Sequence, residues 1–149
     1  MNEIKTSLVL LVLSTMIFTS CGQKTPAKEA HETTDVNDDF ETIKLNNGEK
    51  WKVVNEMISY VHLMDKSVAE FQTLEDKNYA VLAKNLQTNV DSLISNCTMT
   101  GEGHIELHKW LIPYIQLLDD LSNAPNNSEA EETNESIQTS LDTFKMYFE

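Results

Sequence analysis

The chain has 149 residues, with 24 Asp and Glu against 11 Lys, no arginine, and a formal charge of −13. That balance excludes nucleic acid as a partner, because a strand needs a basic groove to displace its counterions and scattered lysines among carboxylates make none. With only 4 Gly, 3 Pro and 2 Cys, the composition favours helices over a turn-dense sandwich or barrel, and the length has room for a single domain.

Met1-Asn-Glu-Ile-Lys5 opens an apolar run from Leu8 to Phe18, about half the roughly 20 residues that a membrane-crossing helix needs. It has the length of an export-signal core rather than a span. The sequence Phe18-Thr19-Ser20-Cys21 that follows resembles a bacterial lipobox, with small residues ahead of a cysteine that takes the lipid, although Phe18 stands where a leucine is usual. Residues 1–20 are therefore expected to be a signal peptide and Cys21 the lipidated first residue of the mature chain. Gly22 at the next position, rather than an aspartate, points to the outer membrane, facing the periplasm or the cell surface. The two or three acyl chains would hold the protein there durably, at about 0.8 kcal/mol per buried CH₂.

From Gly22 to about Asp39 almost nothing is apolar, so the segment cannot offset the entropy of ordering and reads as a flexible tether. The expected division is signal 1–20, lipidated cysteine and tether 21–45, and helical domain 46–149, with Phe40, Ile43 and Leu45 able to dock on the domain. Asn46-Asn47-Gly48 is a turn.

Four amphipathic stretches follow. The first, about 49–71, carries Val54, Met57, Val61, Met64, Val68 and Phe71 at alternating three- and four-residue spacing, with Trp51 and Ile58 widening the stripe. The second, about 74–96, has Tyr79, Leu82, Leu86, Val90 and Leu93 in register, extended by Cys97, and Thr73 with Asp76 forms a potential capping box. The third, about 102–121, sets His104, Leu107, Leu111, Tyr114, Leu118 and Leu121 on one line and contains Pro113, at which a kink is expected. The fourth, about 128–148, shows Ile137, Leu141, Phe144 and Phe148 behind a second potential box, Ser128 with Glu131. Short connections between long amphipathic helices make neighbours antiparallel, so the expected fold is an all-α, up-down-up-down four-helix bundle.

The chemistry-bearing stretch joins the second and third helices: Cys97-Thr-Met99-Thr-Gly-Glu-Gly-His104-Ile-Glu-Leu-His108-Lys-Trp110. With Cys21 committed to lipid, Cys97 is left without a disulfide partner. His104 and His108 are four apart and share a helix face. Met99 lies on the loop between Cys97 and His104, and Met57 of the first helix comes level with His108. Thiolate, thioether and imidazole together make a soft ligand set, so Cys97, Met99, His104, His108 and Met57 are the candidate metal ligands, for Cu(I) first and Zn²⁺ second. A haem held by His104 or His108 with Met57 is a variant of the same reading. The competing account is structural: Cys97 as a small buried hydrophobe, His104 as a cap and His108 paired to a carbonyl or carboxylate. Glu106 falls about 200° from His104 around the helix and should face away from it.

Covalent haem attachment, zinc-protease and di-iron bundle motifs are all absent from the sequence. No nucleophile with an oriented base is visible, so the expectation is a binding protein rather than an enzyme. A basic protein met by the acidic surface is the other partner class, including an inhibitor or immunity-type role.

The strings Asn47-Gly48-Glu49-Lys50-Trp51-Lys52-Val53, Cys97-Thr98-Met99 with Gly101 and His104, and Leu107-His108-Lys109-Trp110-Leu111 resemble those of small helical lipoproteins of Bacteroidota-type bacteria. The resemblance spans roughly residues 46–148. It implies an anchored helical bundle in which the segment from Cys97 to Trp110 matters.

Overall fold

A computed structural model describes residues 42–149. The signal peptide, Cys21 and the tether up to residue 41 lie outside the described residues. The domain is an all-α four-helix bundle of α1 (Asn55–Gln72), α2 (Tyr79–Ser95), α3 (Glu102–Asn123) and α4 (Asn127–Tyr147), each packed on the next, with α1 and α4 closing the ring. Among the described residues no helix is long and apolar enough to cross a membrane.

The periodic positions make the core. Met57, Val61, Met64 and Val68 from α1, Leu86, Val90 and Leu93 from α2, Leu107, Tyr114 and Leu118 from α3, and Ile137, Leu141 and Phe144 from α4 are all buried. Each stripe faces inward because only that packing removes it from water, at roughly 25 cal/mol per Å² of apolar surface. An aromatic stack, Tyr114 on Trp110, Trp110 edge-on to Phe144 and Phe144 on Phe148, fills the α3–α4 seam with centroids 4.7 to 5.0 Å apart. The Trp110 indole N–H is satisfied by the Ser140 carbonyl at 2.8 Å. Pro113 sits within α3.

Three element boundaries differ from the sequence expectation. The first helix starts at Asn55, not at Glu49, and residues 42–54 form an extended strap. Asn46 and Glu49 exchange backbone hydrogen bonds across a turn in which Asn47 and Gly48 take φ of 53° and 93°. The strap then pairs with the end of α4: Trp51 N–H donates to Tyr147 O, Glu149 N–H to Trp51 O and Val53 N–H to Glu149 O. These N–H groups find partners in the distant chain end, so no helical turn is needed to satisfy them. Trp51 is thus not part of the α1 stripe, and Phe148 is buried from an extended position beyond α4. Ile43 packs on the core as expected, Leu45 is exposed, and Phe40 lies outside the described residues.

The second helix starts at Tyr79 rather than Leu74. Asn78 is its cap, accepting from Val81 N–H at 3.1 Å, whereas the Thr73 hydroxyl donates back to Glu70 O and closes α1. The fourth helix is capped by Asn126, not Ser128. Asn126 Oδ1 accepts from Glu129 N–H at 3.0 Å and Asn126 Nδ2 donates to the Glu129 carboxylate at 2.8 Å. The cap thus lies two residues earlier than expected, and Glu129 answers it through the Asn126 side-chain amide rather than through the backbone N–H of a capping box.

Candidate metal centre

The end of the bundle where α2 hands over to α3 is organised from below by two glycines. Gly101 caps α3 with φ 69°, a left-handed turn that a residue with a Cβ adopts only under strain. Gly103, in the first turn, is buried beneath the Trp51 ring: a Cβ there would lie 3.0 Å from Trp51 Cε3 and 3.4 Å from Met99 Cε. Met99 therefore folds back over the start of α3, as the loop glycines allow. Trp51 is itself pinned, because its indole N–H donates to Lys44 O at 2.6 Å.

His104 and His108 stand on the outward flank of the same helix. Their rings meet edge-on with centroids 4.5 Å apart; His104 is half-buried and His108 exposed. Two imidazoles sharing one ion, with metal–nitrogen bonds of about 2.0 Å, need a ring separation of roughly this size.

The other candidates are placed differently. Cys97 lies two residues beyond α2, half-buried against the core, with its backbone N–H bonded to Ile94 O. It is a free cysteine. Met99 is half-buried beside Gly103. Met57 is fully buried inside the core. Among the described residues no three His, Cys, Asp or Glu side chains converge closely enough to hold an ion, so Cys97 does not form a ready three-ligand group with the two histidines. The pair His104 and His108 is what the fold brings together.

Glu106 is the site residue that sequence reasoning placed only as facing elsewhere. It is 8% exposed, and each carboxylate oxygen has a donor: Lys109 Nζ at 2.8 Å and the Lys44 backbone N–H at 2.7 Å. Burial pushes its pKa up, but the hydrogen bonds from Lys109 and Lys44 outweigh it and hold the carboxyl below the usual range. Glu106 thereby ties the strap to α3, and it borders a cleft of about 300 Å³ shared with Trp51, Asn46 and Glu102. Its role had no local signal beyond a carboxylate off the polar face.

No family model, no curated protein and no solved structure matches this chain.

Proposed function

We propose that the protein is a lipid-anchored binding module of the bacterial cell envelope that takes a transition-metal ion, copper foremost, through residues 97–108. The observation that carries this reading is the contact of His104, half-buried, and His108, exposed, whose ring centroids lie 4.5 Å apart on one turn of α3. Imidazole nitrogen selects copper, zinc and nickel over magnesium and calcium, which prefer oxygen. Cys97 and Met99 precede the pair on the connecting loop, and their sulfurs favour Cu(I) if the loop rearranges to meet the ion. Met57 belongs to the core and is not needed for the histidine pair. No catalytic role is assigned. The anchor at Cys21 follows the lipobox-like sequence, and the likeness to helical lipoproteins of Bacteroidota-type bacteria supports the same placement.

The test is an ion titration of the full chain in detergent, with Cu(I) under anaerobic conditions and with Cu²⁺ and Zn²⁺. Stoichiometric uptake that His104→Ala and His108→Ala each weaken strongly is the expected result. Cys97→Ser weakens Cu(I) uptake selectively if the loop sulfur takes part. Uptake that is equal in the wild type and both histidine variants overturns the reading. Labelling of the wild type with a radioactive fatty acid, lost in Cys21→Ala, tests the anchor separately.

A further inference from the structure

The cleft of about 300 Å³ beside Glu106 lies between the strap and the first turn of α3, and neither His104 nor His108 lines it. That volume is at the small end of ligand pockets, which run from roughly 300 Å³ upward. Its walls are fixed in advance: Lys44 N–H is bonded to Glu106, Lys44 O to the Trp51 indole, and Asn46 to Glu49 across the turn. A site already held in shape loses little further freedom when a ligand arrives. Its polar tips, by contrast, are open. Among the described residues the two asparagine side chains bond only each other, Asn47 Nδ2 donating to Asn46 Oδ1 at 3.2 Å, which leaves Asn46 Nδ2 and Asn47 Oδ1 free. The Lys44 ammonium and the Glu102 carboxylate line the same cleft with no hydrogen bond or ion pair among the described residues. Between these groups the surface is apolar, with Leu45 41% and Ile105 60% exposed and Trp51 half-buried.

We infer that this cleft binds one neutral sugar ring, at a site separate from the histidine pair and independent of the metal reading. A hydroxyl both donates and accepts hydrogen bonds. A ring that carries several can therefore accept from Asn46 Nδ2 and Lys44 Nζ while it donates to Asn47 Oδ1 and Glu102. Its C–H faces are apolar and meet Leu45, Ile105 and Trp51. The lining disfavours the other small ligands. A phosphate or carboxylate would face Glu102 and Glu106, and a cation would face Lys44, each a like-charge contact at short range. A wholly apolar molecule would cover the open amides and the Glu102 carboxylate without replacing the water they lose, at the cost of burying unsatisfied polar groups. With Lys109 bonded to Glu106 at 2.8 Å, the two lysines and two glutamates around the cleft sum to zero charge. A neutral ligand is thus unopposed there, although the chain as a whole carries −13.

The experiment titrates the full chain, in a polyoxyethylene detergent that carries no sugar headgroup, with glucose, galactose, mannose and N-acetylglucosamine. Glycine and inorganic phosphate are the charged controls, and a chelator is present throughout, so the result does not depend on metal uptake. Calorimetry gives the stoichiometry. Tryptophan emission reports on the cleft, because Trp51 forms its wall whereas Trp110 is 2% exposed in the core. The expected result is one site per chain for at least one of the sugars, with a change in emission and no response to glycine or phosphate. Glu102→Ala and Asn46→Ala are each expected to weaken binding about tenfold, the loss of one or two hydrogen bonds. Neither side chain belongs to the core, so the helical circular dichroism should be unchanged in both. No response to any of the four sugars overturns the inference. Binding of glycine or phosphate in place of sugar overturns the ligand class, and sugar binding that is equal in the wild type and both variants overturns the assignment to this cleft.

Discussion

The Trp51 ring lies directly over the α-carbon of Gly103, so near that a Cβ added there would come within 3.0 Å of Trp51 Cε3. The ring has little freedom to move aside, since its N–H is tied to Lys44 O at 2.6 Å and its backbone is bonded to both Tyr147 and Glu149. Gly103 is therefore the point at which the strap, α3 and the end of α4 are held together.

Replacing Gly103 by Ala tests that contact against helix propensity. Alanine in a helix is worth about 1 kcal/mol over glycine, whereas overpacking a filled contact costs about 1 to 3 kcal/mol. Because Trp51 is pinned, the steric cost wins, and Gly103→Ala is expected to lower unfolding stability in urea and to change tryptophan emission. A more stable variant would show that the ring yields freely.

Phe148 lies beyond the last helical residue yet is 2% exposed, stacked on Phe144 at 5.0 Å and bridged to Trp51. Phe148→Ala should cost about 3 kcal/mol, the size expected for a buried aromatic. A loss below about 0.5 kcal/mol, typical of a surface site, would mean that the strap and the chain end contribute little to the fold.

The two possible caps of α4 make opposite predictions for neighbouring residues. Asn126→Ala removes the acceptor for Glu129 N–H and the donor to its carboxylate, at a cost of about 1 kcal/mol. Ser128→Ala, inside the first turn, should leave stability within about 0.5 kcal/mol. Thermal unfolding of the two variants side by side decides the boundary.

Tyr114 is buried, and its hydroxyl has no hydrogen-bond partner among the described residues. Burial, and after it the charge of Asp65, push its phenol well above the usual value, which is about 10. The folded state thus keeps a proton that the unfolded chain releases near pH 10. The stability from this group is fully present below that pH and is lost as pH rises toward the raised folded value. Tyr114→Phe removes the unsatisfied hydroxyl, whose burial costs about 1 to 3 kcal/mol, so the variant should be the more stable at pH 7. It should also lose less stability than the wild type between pH 9 and about 11. Equal alkaline profiles would show that Tyr114 ionises without hindrance.

Most of the core was readable from the periodic stripes, although Trp110, Ala83, Ala130 and Asn134 are buried outside them and His104, in register with the α3 stripe, is only half-buried. Met57, Val61, Met64, Val68 and Phe71 follow one stripe in the sequence and one buried face in α1, and the same holds for the central turns of the other helices. The closeness of His104 and His108 was readable for the same local reason, since four residues bring side chains to one side of a turn. The cap positions were less legible. Thr73, Asn78, Asn126 and Ser128 are all competent caps, and the choice among them depends on which N–H groups tertiary packing leaves unpaired. Whether Cys97 joins the histidines was likewise beyond spacing, because the loop between them turns on Gly101 and is covered by Met99 and Trp51.

The sequence by itself determined that this domain is helical and which side of each helix is apolar, because a 3.6-residue period is written in neighbours along the chain. Only the tertiary structure decided that residues 42–54 are a strap rather than the first turns of α1. It also decided that Trp51 serves the distant chain end and Gly103, and that Glu106 holds Lys44 across 62 positions. Those partners are joined by backbone hydrogen bonds and close packing between segments far apart in sequence, and such pairings leave no periodic trace in either segment.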